Sequence, residues 1–176
     1  DMTEGKPLTL ILQFCIPMLI GNLFQQFYNM VDSMIVGKFV GVDALAAVGS
    51  TGAVNFLVIG FVTGCASGFA IPVAQRFGAG DYSAMRKHTA NAFYLSVIIT
   101  VVMTTLTMIF TRDMLVLTKT PDDIIDYAYD YIIIIFGGIA VTMLYNILAS
   151  ILRALGDSRT PLIFLAIASL LNVALD

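Results

Sequence analysis

The chain has 176 residues, 59% hydrophobic and 12% charged, with a mean hydropathy of +0.91. Soluble domains carry about a quarter charged residues, and the apolar residues here come in runs too long for core helices, so the composition excludes a water-soluble globular protein and predicts an integral membrane one. The net charge of −3 argues against a nucleic-acid partner, and Cys15 and Cys65 lie inside apolar runs with neither metal-ligand spacing nor a disulfide pattern.

A bilayer core takes about 20 mostly apolar residues per helix, and five segments approach that length: 8–36, 45–74, 84–110, 124–152, and one that begins near 161 and is still running at Asp176. The fold class expected is an all-α polytopic helix bundle. The opening stretch, DMTEGKPLTLILQF, has one Lys beside a Glu and no small-residue cleavage site before a polar chain. It reads as a retained first membrane helix rather than a signal peptide.

The first segment is expected to bend at Pro17, because proline removes a helical hydrogen bond. Beyond it the run PMLIGNLFQQFYNMVDSMIVGKFVG carries Asn22, Gln25, Asn29 and Asp32, spaced three, four and three apart. At 3.6 residues per turn these form one polar stripe, with Tyr28 on the same side. A carboxylate inside a membrane helix is costly, so Asp32 is expected to face a protein interior or a watery cavity. In the second segment Gly60, Gly64 and Gly68 recur every four residues, which predicts a face for close helix packing. The glycines of Phe77-Gly78-Ala79-Gly80-Asp81 mark a turn rather than a phosphate cradle, since no strand precedes them.

The fourth segment starts after Thr120-Pro121-Asp122, and Tyr127, Tyr129 and Tyr131 are candidate aromatic anchors at that interface. Its one amide in an apolar run is Asn146, seven residues before Arg153; spacing alone fits an interhelical hydrogen bond as well as a site residue. The fifth segment repeats the theme of the first, since Asn172 and Asp176 in LLNVALD are four apart and share a face. Asp32 and Asp176 lie about 27 Å and about 21 Å along helices of the same direction at 1.5 Å per residue, which predicts one shared site in one half of the membrane.

With the N-terminus inside, the inner loops hold Lys6, Arg76, Arg86, Lys87, Arg153 and Arg159, and the outer ones Lys38, Arg112 and Lys119. Six against three predicts a cytoplasmic N-terminus. The single His88 sits beside Arg86 and Lys87, and no serine or cysteine has a base at motif spacing. Neither a metal hydrolase nor a nucleophilic enzyme has support, and no cofactor is expected.

The run P-x5-N-x2-Q-x2-YNxVD, together with VGKFVGVDALAAVG, ILRALGDSRTP and LNVALD, resembles the multidrug and toxic compound extrusion (MATE) family over essentially the whole chain. The resemblance implies the N-terminal lobe, residues 1–176, of a twelve-helix transporter with two six-helix lobes, the sixth helix and second lobe being absent from this sequence. It implies a multi-pass plasma-membrane antiporter that exports small organic cations in exchange for protons or sodium, and partners limited to membrane lipid, such substrates and the second lobe. Asp32, Asp176, Asn172 and Asn146 match the family's cation-coupling positions, which would also hold any sodium. Gln25 and Tyr28 match family positions that precede the one matched by Asp32 and, with Asn29 of the polar stripe, are expected to line the cavity; a bend near Pro17 is linked to the family's gating. A lipid-linked precursor flippase is the alternative. Such a cavity should favour Arg and Lys to meet phosphates, whereas the membrane-embedded charges here, Asp32 and Asp176, are acids.

Overall fold

Each apolar run becomes helix, because in lipid a backbone amide must find its partner within its own segment. The computed structural model describes residues 7–175, with the backbone alone described at 7, 10, 13, 14, 17, 18, 28, 32, 36, 40 and 172–175. In order come α1 (Pro7–Ile35), a π-helical turn (Val36–Val40), α2 (Val42–Gly78), α3 (Tyr82–Leu117), α4 (Ile125–Gly137), α5 (Ile139–Ala154) and α6 (Arg159–Leu175). Among the described residues, α2 and α3 are long and apolar enough to cross a membrane alone, and α4 with α5 makes a third candidate span. The 29 residues of α1 give about 43 Å of helix, more than the roughly 30 Å of a bilayer core.

The expected all-helical membrane fold holds, but the fourth segment is two helices. They meet at Gly138 with a bend of 46°. The Gly138 amide is shared between the Ile134 and Ile135 carbonyls at 3.1 and 3.0 Å, a tightened turn that re-aims the chain. A Cβ built on Gly138 would stand 3.2 Å from the Ile135 carbonyl oxygen, so the close turn favours glycine there.

The connections are shorter than the sequence suggests. Only Gly41 separates the π turn from α2, and its φ of +119° lies in a region that L side chains rarely adopt. α2, α3 and α5 end alike. After α2, the Gly80 amide bonds Phe77 and the Asp81 amide reaches back to Arg76; Lys119–Thr120 and Gly156–Asp157 repeat the pattern. The residue in the left-handed conformation is Gly80, Lys119 or Gly156 in turn, so the last carbonyls are satisfied within the chain.

Two groups of helices result. α2 is the hub of the first, packed against α3, α4 and α5, while α3 also touches α4 and α5. Its core runs along α2 through Val54, Val58, Val62 and Ala66, meeting Ile132, Phe136, Ile139, Met143 and Ile147 of α4 and α5. Buried hydroxyls in this core are neutralised locally: Thr51, Ser96 and Thr107 donate to carbonyls of their own helices at 2.7–2.8 Å. The second group is α1 against α6, joined to the first by the π turn and by contacts between α5 and α6.

Two packing expectations are corrected. Gly60, Gly64 and Gly68 are exposed, and a Cβ on any of them would meet nothing within 4 Å. The core is built instead by the adjacent face of α2, whose larger Val58 and Val62 have the bulk to fill the space between helices. Of the three tyrosines only Tyr127 is exposed; Tyr129 and Tyr131 pack on the core, because their positions in α4 flank the buried Ala128 and Ile132.

α6 begins with a cap. Asp157 Oδ1 accepts from the Arg159 and Thr160 amides at 3.0 Å each, and its other oxygen accepts from the Thr160 hydroxyl. The Thr160 hydroxyl first, then these amides, hold the Asp157 carboxyl below its ordinary value of 3.8. A depressed folded value means the stabilisation is complete above about 3.8 and lost as pH falls through the folded value. Asp157→Ala is therefore expected to lower the unfolding temperature in detergent at neutral pH, with the gap to wild type closing in acid. A gap that stays constant across that range would mean the carboxylate charge contributes nothing.

Candidate functional site

The polar stripe of α1 stands on a helix whose one described close approach is to α6. Gly21 is buried, and a Cβ there would lie 3.3 Å from Leu162 and 3.5 Å from Leu165, so its lack of a side chain lets the two helices meet. The register of both helices follows from this contact. At about 100° per residue, positions 25 and 32 fall within about 40° of Gly21 around α1, while 22 and 29 stand about 80–100° away. The stripe thus borders the α1–α6 seam and turns away from it.

On α6, position 172 falls about 20° from Leu165 around the axis, on the side that meets α1. Positions 25 and 32 of α1 and position 172 of α6 thus lie toward the faces on which the two helices meet. The side chains of Pro17, Tyr28, Asp32 and Asn172, and the whole of Asp176, lie outside the described residues; position 17 falls within the helical run of α1 and 172 within that of α6.

Asn22, Gln25 and Asn29 are all exposed, covered by no described helix. The Asn29 amide reaches Gln26 at 3.5 Å, and the Asn29 carbonyl accepts from the Ser33 hydroxyl at 2.8 Å. Asn146 is half-buried on α5 and donates its amide to the Thr142 carbonyl of its own helix at 2.8 Å. No hydrogen bond among the described residues joins it to α1 or α6. The link between α5 and α6 is its neighbour Tyr145, whose hydroxyl meets the Pro161 carbonyl at 3.4 Å, eleven residues before position 172. Among the described residues no group of three His, Cys, Asp or Glu lies together.

Two grooves lie away from this seam. One, of about 550 Å³, runs between α2 and α3 beside Phe56, Gly60 and Met103. The other, of about 410 Å³, lies between α2 and α5 and contains Ser67, Ser150 and Arg153. Arg153, expected in a loop, lies instead in the last turn of α5 on this groove; the signal for it in the sequence is Ser150, three residues earlier and one helical turn away. Also missed were Asn55 and Thr104, whose Oδ1 and Oγ1 are buried without a described hydrogen bond; each is a polar residue inside an apolar run.

A family model, MatE, matches residues 17–176. The chain is 34% identical to "Probable multidrug resistance protein YoeA" of Bacillus subtilis (strain 168) over 92% of its own length and 35% of that protein's. Its fold superposes on "Crystal structure of MATE in the bent conformation" with a TM-score of 0.89 at 27% identity, covering 99% of this chain and 39% of that one. A MOP superfamily transporter from Pyrococcus furiosus Vc1, described as having a binding pocket of reversed polarity that suggests a different function, gives 0.90 at 26%, with 98% and 38% covered. The chain spans little more than a third of the length of the curated relatives it matches.

Proposed function

Because this chain belongs to the MatE family of membrane transporters, we propose that it forms the N-terminal lobe of a transporter that exports organic cations in exchange for protons or sodium. The observation that carries this reading is the seam between α1 and α6. A polar stripe borders it on one helix, and position 172 falls on the facing side of the other, which supports a shared site. Amides and carboxylates at one depth are what an ion needs in place of its water shell. Asp32 and Asp176 hold the ion or proton, with Asn172 and Asn146 as neutral ligands if sodium is used. Gln25, Tyr28 and Asn29 line the path of the organic cation, and a bend at Pro17 changes its access.

Coupling requires only that the ion and the substrate favour different states of the transporter, so that each weakens the other's binding. In this arrangement the positive-inside count puts the N-terminus and the loop after α2 in the cytoplasm.

The test is transport by the full-length protein in liposomes, with a fluorescent cation in one arm and a fluorescent lipid-linked sugar in the other. Efflux of the cation that rises with an imposed proton or sodium gradient is expected. Movement of the lipid-linked sugar alone would replace the exporter with a flippase. Single cysteines at Ser83 and Thr118, both exposed, report orientation in intact cells. An impermeant thiol reagent should reach the second and not the first, and the reverse pattern would invert the topology.

A further inference from the structure

The two ends of the bundle differ in charge. The end where α2 gives way to α3 and α5 to α6 carries Arg76, Arg86, Lys87, Arg153 and Arg159 among the described residues, against only Asp81 and Asp157. Both of those carboxylates are engaged. Asp81 caps α3 by accepting from the Ala84 amide at 3.0 Å and lies 3.9 Å from Arg76; Asp157 caps α6. The opposite end carries Lys38, Arg112 and Lys119 against Asp43, Asp113, Asp122, Asp123, Asp126 and Asp130.

Arg153 is left over. It is half-buried in the last turn of α5, and its described bond runs from Nη2 to the Ser150 hydroxyl oxygen at 3.1 Å. No carboxylate lies within ion-pair distance among the described residues. A guanidinium offers five N–H donors in a planar fork, so most of them remain for a ligand. Taking such a cation out of water without an anion is unfavourable. The groove it lines, about 410 Å³ between α2 and α5, is walled by Ala70, Ile71 and Ala74, with Ser67 exposed at its edge.

We infer that this groove binds the phosphate of an anionic membrane lipid, Arg153 gripping the phosphate while an acyl chain follows the Ala70–Ile71–Ala74 wall. The arrangement matches both halves of such a molecule. A planar fork meets two phosphate oxygens side by side, and an alanine-lined helix face leaves room for a chain. A soluble phosphate would leave that wall empty. Basic pockets between membrane helices bind lipid headgroups by the same combination. The inference stands on the groove and its charge, not on the transport reading or on the α1–α6 seam.

The test is retention of lipid by the purified, delipidated full-length protein, read by native mass spectrometry. Phosphatidylglycerol and phosphatidylcholine of matched chains are compared, with soluble glycerol phosphate as competitor. Wild type is expected to keep phosphatidylglycerol about fivefold better, the effect of one cation at a membrane surface. Arg153→Gln should erase that preference and Arg153→Lys should keep part of it. Arg86→Gln, which removes an exposed cation at the same end but outside the groove, should leave it unchanged. Ser67→Glu sets a repelling carboxylate at the exposed edge without disturbing the core, and should erase the preference even if Arg153→Gln does not fold. Equal retention of the two lipids by wild type overturns the inference. So does a preference that survives Arg153→Gln or Ser67→Glu, one that Arg86→Gln removes equally, or ready displacement by glycerol phosphate.

Discussion

In the full-length transporter, Asp32→Asn is expected to bring gradient-driven efflux of a fluorescent cation down to that of protein-free liposomes, with expression and membrane insertion unchanged. Asparagine nearly preserves the volume and hydrogen-bonding capacity of aspartate, so α1 should fold as before; what it removes is the exchangeable charge. The expected loss is complete rather than partial because coupling passes through the ion. A site that cannot hold or release it leaves the imposed gradient without a route to the substrate. Position 32 borders the seam with α6, the helix that precedes Asp176. Asp176→Asn should therefore weaken coupling in the same way. Wild-type efflux from both variants at matched protein density would mean that these acids are interfacial and that the polar stripe serves another purpose.

The largest stability effect is expected at Phe136. Its side chain is fully buried two residues before the Gly138 bend, in the core that α4 and α5 share with α2 and α3. Phe→Ala in a water-soluble core costs about 3–5 kcal/mol, of which part is transfer out of water and part the cavity left behind. In a membrane the transfer part falls away, because the unfolded reference is also in lipid, while lost packing remains. Phe136→Ala should then destabilise the protein by roughly 2–3 kcal/mol in detergent unfolding titrations. Ile134→Ala, two residues earlier but 76% exposed, is the control. It is expected to stay within about 0.5 kcal/mol of wild type. Equal effects at the two sites would show that the α4 face assigned to the core is wrong.

The sequence by itself determined that this chain is a membrane helix bundle, roughly where its helices lie, and that polar positions share a face on the first of them. The reason is that lipid imposes local rules. An apolar run of sufficient length must satisfy its amides internally, and helical spacing fixes which residues share a face whatever the neighbours are. The end of α2 was legible for the same reason, since Gly80 supplies a left-handed conformation within one turn.

Only the tertiary structure decided what each face meets. Gly137-Gly138 permits a break without fixing its angle; the 46° bend is seen only in the structure, where α4 and α5 pack against α2 and α3. The Gly60-Gly64-Gly68 face reads as a packing surface but meets none of the described residues, the core of this bundle being filled by the valines beside it. The pairing of α1 with α6 joins segments more than a hundred residues apart. Periodicity within one helix carries no information about its partner. Arg153 likewise gains its setting only when α2 lays an apolar wall beside it. A residue's face is a property of its own helix, whereas its environment is set by whichever helix packs against that face.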